Sequence, residues 1–196
     1  MTAAAISNPV FATQATFRAL LDAMARPGTI HTIEPMAAPS PLSPTAAAVA
    51  RTLCDHDTPL WLDDSLGDST PVLEWLRFHC GSPIAGAPRD ATFAFISAPP
   101  KLLSFAEFSV GTPDYPDRAA TIVFQVASLR SGPALTLTGP GIPKQRALQW
   151  EPQPLDFADC LAVNRAHFPC GVDLLLVADG EVAALPRSVR VVKGNE

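Results

Sequence analysis

The sequence predicts an α/β fold: a layered single domain over 1–196 with a mixed sheet. Three observations carry this. Helical and strand-like apolar periods alternate through most of the chain, nearly every one is bounded by glycine or proline, and neither a linker nor an internal repeat divides the 196 residues. A chain of that length buries roughly 70% of its unfolded surface, enough for a core without disulfides or metals.

The elements follow in order. From Thr13 to Ala25, Phe17, Leu20, Leu21 and Met24 fall at helical spacing on one face. Arg18, Asp22 and Arg26 step by four along another face, and Pro27-Gly28 stops the helix. Thr29 to Ile33 reads as a short strand, and Met36 to Pro44, with three prolines, as a loop. Ser43 is placed to cap a second helix with Pro44 in its first turn, reaching about Leu53. Thr58 to Leu62 is a buried-strand candidate. Thr70-Pro71 opens a third helix carrying Val72, Leu73, Trp75 and Leu76, and Gly81-Ser82-Pro83 ends it. Strands are then expected at Ala91 to Ile96, Ala120 to Val126 and Ala134 to Thr138, with a short helix near Leu102 to Phe108 between the first two. A helix from about Leu155 to His167, with Phe157, Cys160 and Leu161 inward, precedes strands at Val172 to Val177 and Ser188 to Val192.

Composition narrows the function. Hydrophobic residues at 47% with 17% charged fit a large apolar interior, or a surface partly covered by partners. A formal charge of −5 and only three lysines (Lys101, Lys144, Lys193) argue against a nucleic-acid surface and leave any anion site to a few placed arginines. No apolar run approaches the ~20 residues that span a bilayer, and Met1 to Ile6 lacks a basic region followed by an apolar stretch. The expectation is a soluble, cytoplasmic chain without membrane contact. Cys54, Cys80, Cys160 and Cys170 form no C-x-x-C pair and read as reduced, mostly buried small hydrophobes.

Each chemical candidate has a plainer reading beside it. Asp63, Asp64 and Asp68 offer carboxylates to Mg²⁺, but no fixed spacing aligns them and a polar turn around Gly67 explains them as well. Asp55-His56-Asp57 suits a metal or proton-transfer site, or simply a helix exit. His31, His79 and His167 fit no zinc spacing, and no G-x-S-x-G elbow frames a serine. Of the lysines, Lys144 alone lies near a corner that could face a pocket, which a Schiff-base role would need. Leu137-Thr138-Gly139-Pro140-Gly141-Ile142 imitates a phosphate loop, yet Pro140 and Pro143 delete donors and the second glycine of a Walker loop falls on Lys144. No catalytic, metal-binding or cofactor-binding residue is assigned. The binding candidates are Arg187, held by Pro186 at a strand start as an anion fork or an ordinary edge charge, and Asp173 and Arg26. Asp173 begins an apolar strand and needs a partner: a corner N–H, an arginine or another subunit. Arg26 reads first as a favourable charge at a helix C-terminus.

Taken together, the corners resemble one family. Phe17-Arg18-Ala19-Leu20-Leu21-Asp22-Ala23-Met24 with Pro27-Gly28 is similar to the opening signature of the H subunit of the bacterial carbon–phosphorus lyase system. Asp57-Thr58-Pro59-Leu60-Trp61-Leu62 and Leu76-Arg77-Phe78-His79 resemble its next segments. Gly111-Thr112-Pro113, Pro116-Asp117, Ala120-Thr121 and Gln125-Val126-Ala127-Ser128-Leu129 follow, with Asp117 standing where the family often has glutamate. Leu137 to Ile142, Phe168-Pro169 with Gly171-Val172-Asp173-Leu174, and Leu185-Pro186-Arg187 close the series. The resemblance implies a reduced version of the pyridoxal-phosphate-dependent transferase fold without the cofactor. It implies a subunit that works with the G, I and J subunits on organophosphonates, in a pathway where the phosphonate displaces adenine from ATP to give a ribose 1-phosphonate 5-triphosphate. No catalytic residue is carried over. Alone, the chain is expected to form a homodimer through apolar surface that partners otherwise cover. A stand-alone enzyme using Arg187 as anion anchor and Asp173 as base, or a module binding a phosphonate or nucleotide ligand, are the rival readings.

Overall fold

The computed structural model describes residues 9–98 and 104–192. Helix α1 (Pro9–Ala25) starts a turn earlier than its apolar period suggests, and the chain leaves it through Gly28, whose φ is +74°. Strand β1 is only His31–Thr32. Helix α2 (Pro44–Leu53) starts as its sequence dictates: Ser43 accepts from the Ala46 N–H and Pro44 occupies the first turn. Its residues Thr45 to Ala50 are all buried, and four of them are alanine, which lets neighbouring backbones approach closely.

Strand β2 (Leu60–Leu62) leads into a four-residue helix α3 (Asp64–Gly67), and α4 (Thr70–His79) comes next with Pro71 in its first turn. Strands β3 (Phe93–Ile96), β4 (Thr121–Gln125), β5 (Ala134–Thr138) and β6 (Arg146–Gln149) precede α5 (Phe157–Ala166). The chain ends with β7 (Asp173–Ala178), β8 (Glu181–Leu185) and β9 (Arg190–Val192).

The main sheet has the order β1-β8-β7-β4-β3-β2. Its β2, β3, β4 and β7 run parallel, while β7-β8 and β8-β1 are antiparallel, so the sheet is mixed. Burial of both faces is why β4 and β7 read as unbroken apolar runs. Alternation then assigns the faces. Phe95, Val123, Leu175, Val177 and Ala184 join the core that contains Leu20, Ala46 to Ala50, Val72 and Leu76. Ala94, Ile96, Ile122, Phe124, Leu174, Leu176 and Leu185 join the one with Leu137, Leu148, Trp150, Phe157 and Leu161. One face is thus covered by α1, α2 and α4. The other is covered by α5 and by a second, antiparallel sheet of order β6-β5-β9.

Several expectations need correction. The inward stripe of α1 is Thr16, Leu20 and Ala23, whereas Phe17 and Leu21 face out at 44% and 53% exposure. In α5, Phe157 and Leu161 are buried but Cys160 is half-buried, and the inward polar residue is Asn164, which donates to the Val172 carbonyl and accepts from its N–H. The helix expected over Leu102 to Phe108 lies partly outside the described residues, and its described part is a single 3-10 turn at Phe105–Glu107. Strands β6 and β8 and helix α3 were not expected.

Candidate interaction surface

In open α/β sheets, ligand crevices form outside the carboxyl ends of parallel strands where strand order reverses. Here β2, β3, β4 and β7 follow one another across the sheet without reversal. The polar groups at those ends are already tied into the fold. Asp63 caps α3 through the Leu66 N–H (3.1 Å) and accepts from the backbone N–H and the hydroxyl of Ser97, both at 2.8 Å. Its place in the acidic cluster is therefore a cap, and among the described residues no three His, Cys, Asp or Glu gather around a common metal position. Gln125, 8% exposed, accepts from Ser43 N–H and donates to the Pro41 carbonyl.

At the opposite end of the sheet, the structure brings two of the three binding candidates together. Arg187 donates from its backbone N–H (2.8 Å) and Nε (3.1 Å) to Asp173 Oδ1 and from Nη2 (2.5 Å) to Oδ2, and from Nη1 to the Pro116 carbonyl (2.6 Å). Both side chains are 14% exposed. The partner that Asp173 requires is thus an arginine of its own chain, and the guanidinium fork is turned onto that carboxylate and a loop carbonyl. Arg26 stands elsewhere, ion-paired with Asp22 at 2.7 Å where α1 ends.

The remaining candidates are dispersed. Asp55 organises an exposed turn, accepting from the Asp57 N–H and the Thr58 hydroxyl. His31 contacts Thr29 Oγ1 at 2.7 Å. His79 packs on Trp75 with ring centroids 4.3 Å apart, and Lys144 is exposed. Lys101 and Lys193 lie outside the described residues. Burial pushes the Cys54 thiol far up and the Cys80 thiol to about 11, so neither is a thiolate at neutral pH.

What the structure does gather is apolar surface. Val10, Phe11, Phe17 and Leu21 cover the outward side of α1 at 71%, 67%, 44% and 53% exposure, and Phe78 in the last turn of α4 is 84% exposed. Beside them, Phe11, Gln14 and Phe17 share a trough of about 560 Å³ with Arg51 and Thr52 of α2. It shares Thr13, Arg51 and Thr52 with a deeper cleft of about 350 Å³ between α1, α2 and residues 34–37. Helical spacing grouped Phe17 and Leu21 with Leu20 and Met24 on one face, but in the structure Leu20 turns inward while Phe17 and Leu21 turn out. A helix with two apolar stripes buries only one in its own core, and the other suits a partner.

Comparison with known proteins identifies a family. The family model described as bacterial phosphonate metabolism protein (PhnH) matches residues 4–192. The chain is 41% identical over 188 residues, 95% of its own length and 94% of the relative's, to the alpha-D-ribose 1-methylphosphonate 5-triphosphate synthase subunit PhnH of Rhizobium meliloti (strain 1021). It is 38% identical over 104 residues, half of each chain, to a putative C-P lyase subunit protein, HtxG, of Stutzerimonas stutzeri.

Proposed function

The chain belongs to the PhnH family of bacterial phosphonate metabolism proteins, and from that premise we propose that it is a subunit of a carbon–phosphorus lyase core complex. In this reading it supports formation of ribose 1-phosphonate 5-triphosphate from ATP and an alkylphosphonate, as an accessory rather than as the centre of the chemistry. The observation that carries the proposal is end-to-end similarity to a relative named as a subunit of that synthase. The outward stripe of α1 supplies what a subunit needs, a contiguous apolar face on a rigid helix. Arg26, at the end of the same helix, is ion-paired with Asp22, while Asp173 and Arg187 hold one end of the sheet in shape.

The same reading makes the G, I and J subunits the partners, the cytoplasm the location, and a homodimer the state of the isolated chain. It treats 1–196 as one H-subunit-like domain and the fold as a reduced relative of pyridoxal-phosphate-dependent transferases. Four adjacent parallel strands backed by helices support that likeness. A Schiff-base lysine requires a desolvated amine, and Lys144, the only lysine among the described residues, is exposed, so the described residues do not fit that cofactor.

The test is co-purification of the tagged full chain from cells grown on a phosphonate as sole phosphorus source. The G, I and J subunits are expected to elute with it, and Phe17→Asp with Leu21→Asp is expected to release them while leaving thermal stability within a few degrees of wild type. A chain that never elutes with those subunits overturns the proposal.

A further inference from the structure

We infer that the cleft between α1 and α2 is a binding site for a small organic oxyanion, a tetrahedral phosphate or phosphonate carried on a short apolar body. Arg51 is its anion receptor. Arg51 is the arginine that lines this cleft, and like most described arginines, and unlike Arg26, Arg130 and Arg187, it has no carboxylate within ion-pair distance among the described residues. Its one polar contact among the described residues is Nη1 to His79 Nδ1 at 3.4 Å. Desolvation, and then Arg51 itself, lower the pKa of that histidine, so the ring stays neutral and accepts from Nη1. The remaining guanidinium N–H groups have no partner among the described residues and can bind an oxyanion in bidentate fashion.

A second donor lies deeper. Thr16 is 3% exposed, lines the cleft, and its hydroxyl has no hydrogen-bond partner among the described residues. Thr52 differs, since its hydroxyl is spent on the Ala48 carbonyl at 2.7 Å. The hydroxyl opens onto the cleft, where it can donate to an oxyanion held by Arg51. The volume of about 350 Å³ falls in the range of small-molecule sites, and Ala12, Met36 and Ala48 offer an apolar wall to the ligand's body. Glu34, exposed and also lining the cleft, penalises additional negative charge, so a single anionic head is favoured over a polyphosphate.

Phosphorus-detected NMR titration of the purified full chain tests this with phenylphosphonate, phenyl phosphate and inorganic phosphate. Saturable broadening is expected for one or both organic probes, with inorganic phosphate at least tenfold weaker. Which organic probe binds more tightly identifies the source of the oxyanion, and either result supports the site. Arg51→Gln should weaken binding tenfold or more, Thr16→Val several-fold, and Arg190→Gln, on the exposed β9, not at all. Arg51→Lys, which keeps the charge without the fork, should fall between and controls for misfolding. No saturable probe, or Arg51→Gln binding like wild type, overturns the inference. The readout uses the isolated chain, so its outcome is independent of co-purification with other subunits.

Discussion

Replacing Asp173 by alanine removes the acceptor of three bonds and leaves the Arg187 guanidinium, in a side chain only 14% exposed, facing no carboxylate. Arg187 cannot relax freely into water, because its Nη1 bond to the Pro116 carbonyl at 2.6 Å holds it in place. Breaking a buried pair by removing one partner costs about 3–5 kcal/mol. For a domain of this size each kcal/mol moves the melting midpoint by roughly 2–4 °C, so a drop of about 10 °C is expected. Asp173→Asn retains an oxygen for the Arg187 backbone N–H and should lose about half as much. Arg187→Met paired with Asp173→Leu replaces two charges with apolar volume and should recover much of the loss. Urea unfolding followed by tryptophan fluorescence measures all of these, with a coupling of at least about 2 kcal/mol between the two sites in the double-mutant cycle. Asp173→Ala unfolding within about 0.5 kcal/mol of wild type, or strict additivity of Asp173→Leu and Arg187→Met, would refute the argument.

Gly141→Ala should destabilise severely, since at φ +77° its Cβ would stand 2.1 Å from the Ala25 carbonyl oxygen; Gly81→Ala, at φ +70° with nothing within 4 Å, should cost only about 1 kcal/mol in the same thermal melts. Asp63→Ala should lower stability by about 1–2 kcal/mol through the lost cap, while millimolar Mg²⁺ leaves the wild-type melting midpoint unchanged; an Mg²⁺-dependent rise would restore the metal reading. The Cys80 thiol, raised from an ordinary 9.0 to about 11, stays protonated when folded but ionises in the unfolded chain. Its contribution to stability is therefore intact below pH 9 and lost as pH climbs toward 11, and Cys80→Ala should flatten that decline in urea midpoints measured from pH 8 to 10.5.

Local chemistry was legible wherever one or two residues decide it. Ser43-Pro44 announced the start of α2, Thr70-Pro71 that of α4, and the apolar runs the four parallel strands. Period alone could not choose between the two apolar stripes of α1. Phe17 and Leu21 are larger than Thr16 and Ala23, yet α2 brings mostly alanines to the core that Leu20 and Ala23 join, and small residues suit such a close-packed neighbour better. The decision rests on the neighbour's shape, which no window of the α1 sequence contains. Strand β6 has a single fully inward residue, Leu148, and β8 is alanine-rich, so neither has a strong strand propensity. The cleft was illegible for a related reason: Thr16 and Arg51 are ordinary residues until two helices place them together.

The pairing of Asp173 with Arg187 was closer to being readable than it looked. Asp179-Gly180 is a two-residue hairpin signal, and Gly180 takes φ +69° to make the turn. A turn of that length pairs Ala178 with Glu181 and fixes every later pair, through Leu174 with Leu185. One further step along that register places Asp173 opposite Pro186, within reach of Arg187. The other family-like corners converge in the same way. A Cβ on Gly28 would meet Leu137 Cδ1 at 2.9 Å, Gly141 abuts the Ala25 carbonyl, and Gly171 N–H donates to the Val110 carbonyl. Segments far apart in sequence are thus packed corner against corner, and two of those contacts fix the C-terminal end of α1. The Gly139-Pro140-Gly141 turn, which imitates a phosphate loop, braces the helix whose outward stripe we assign to partner subunits.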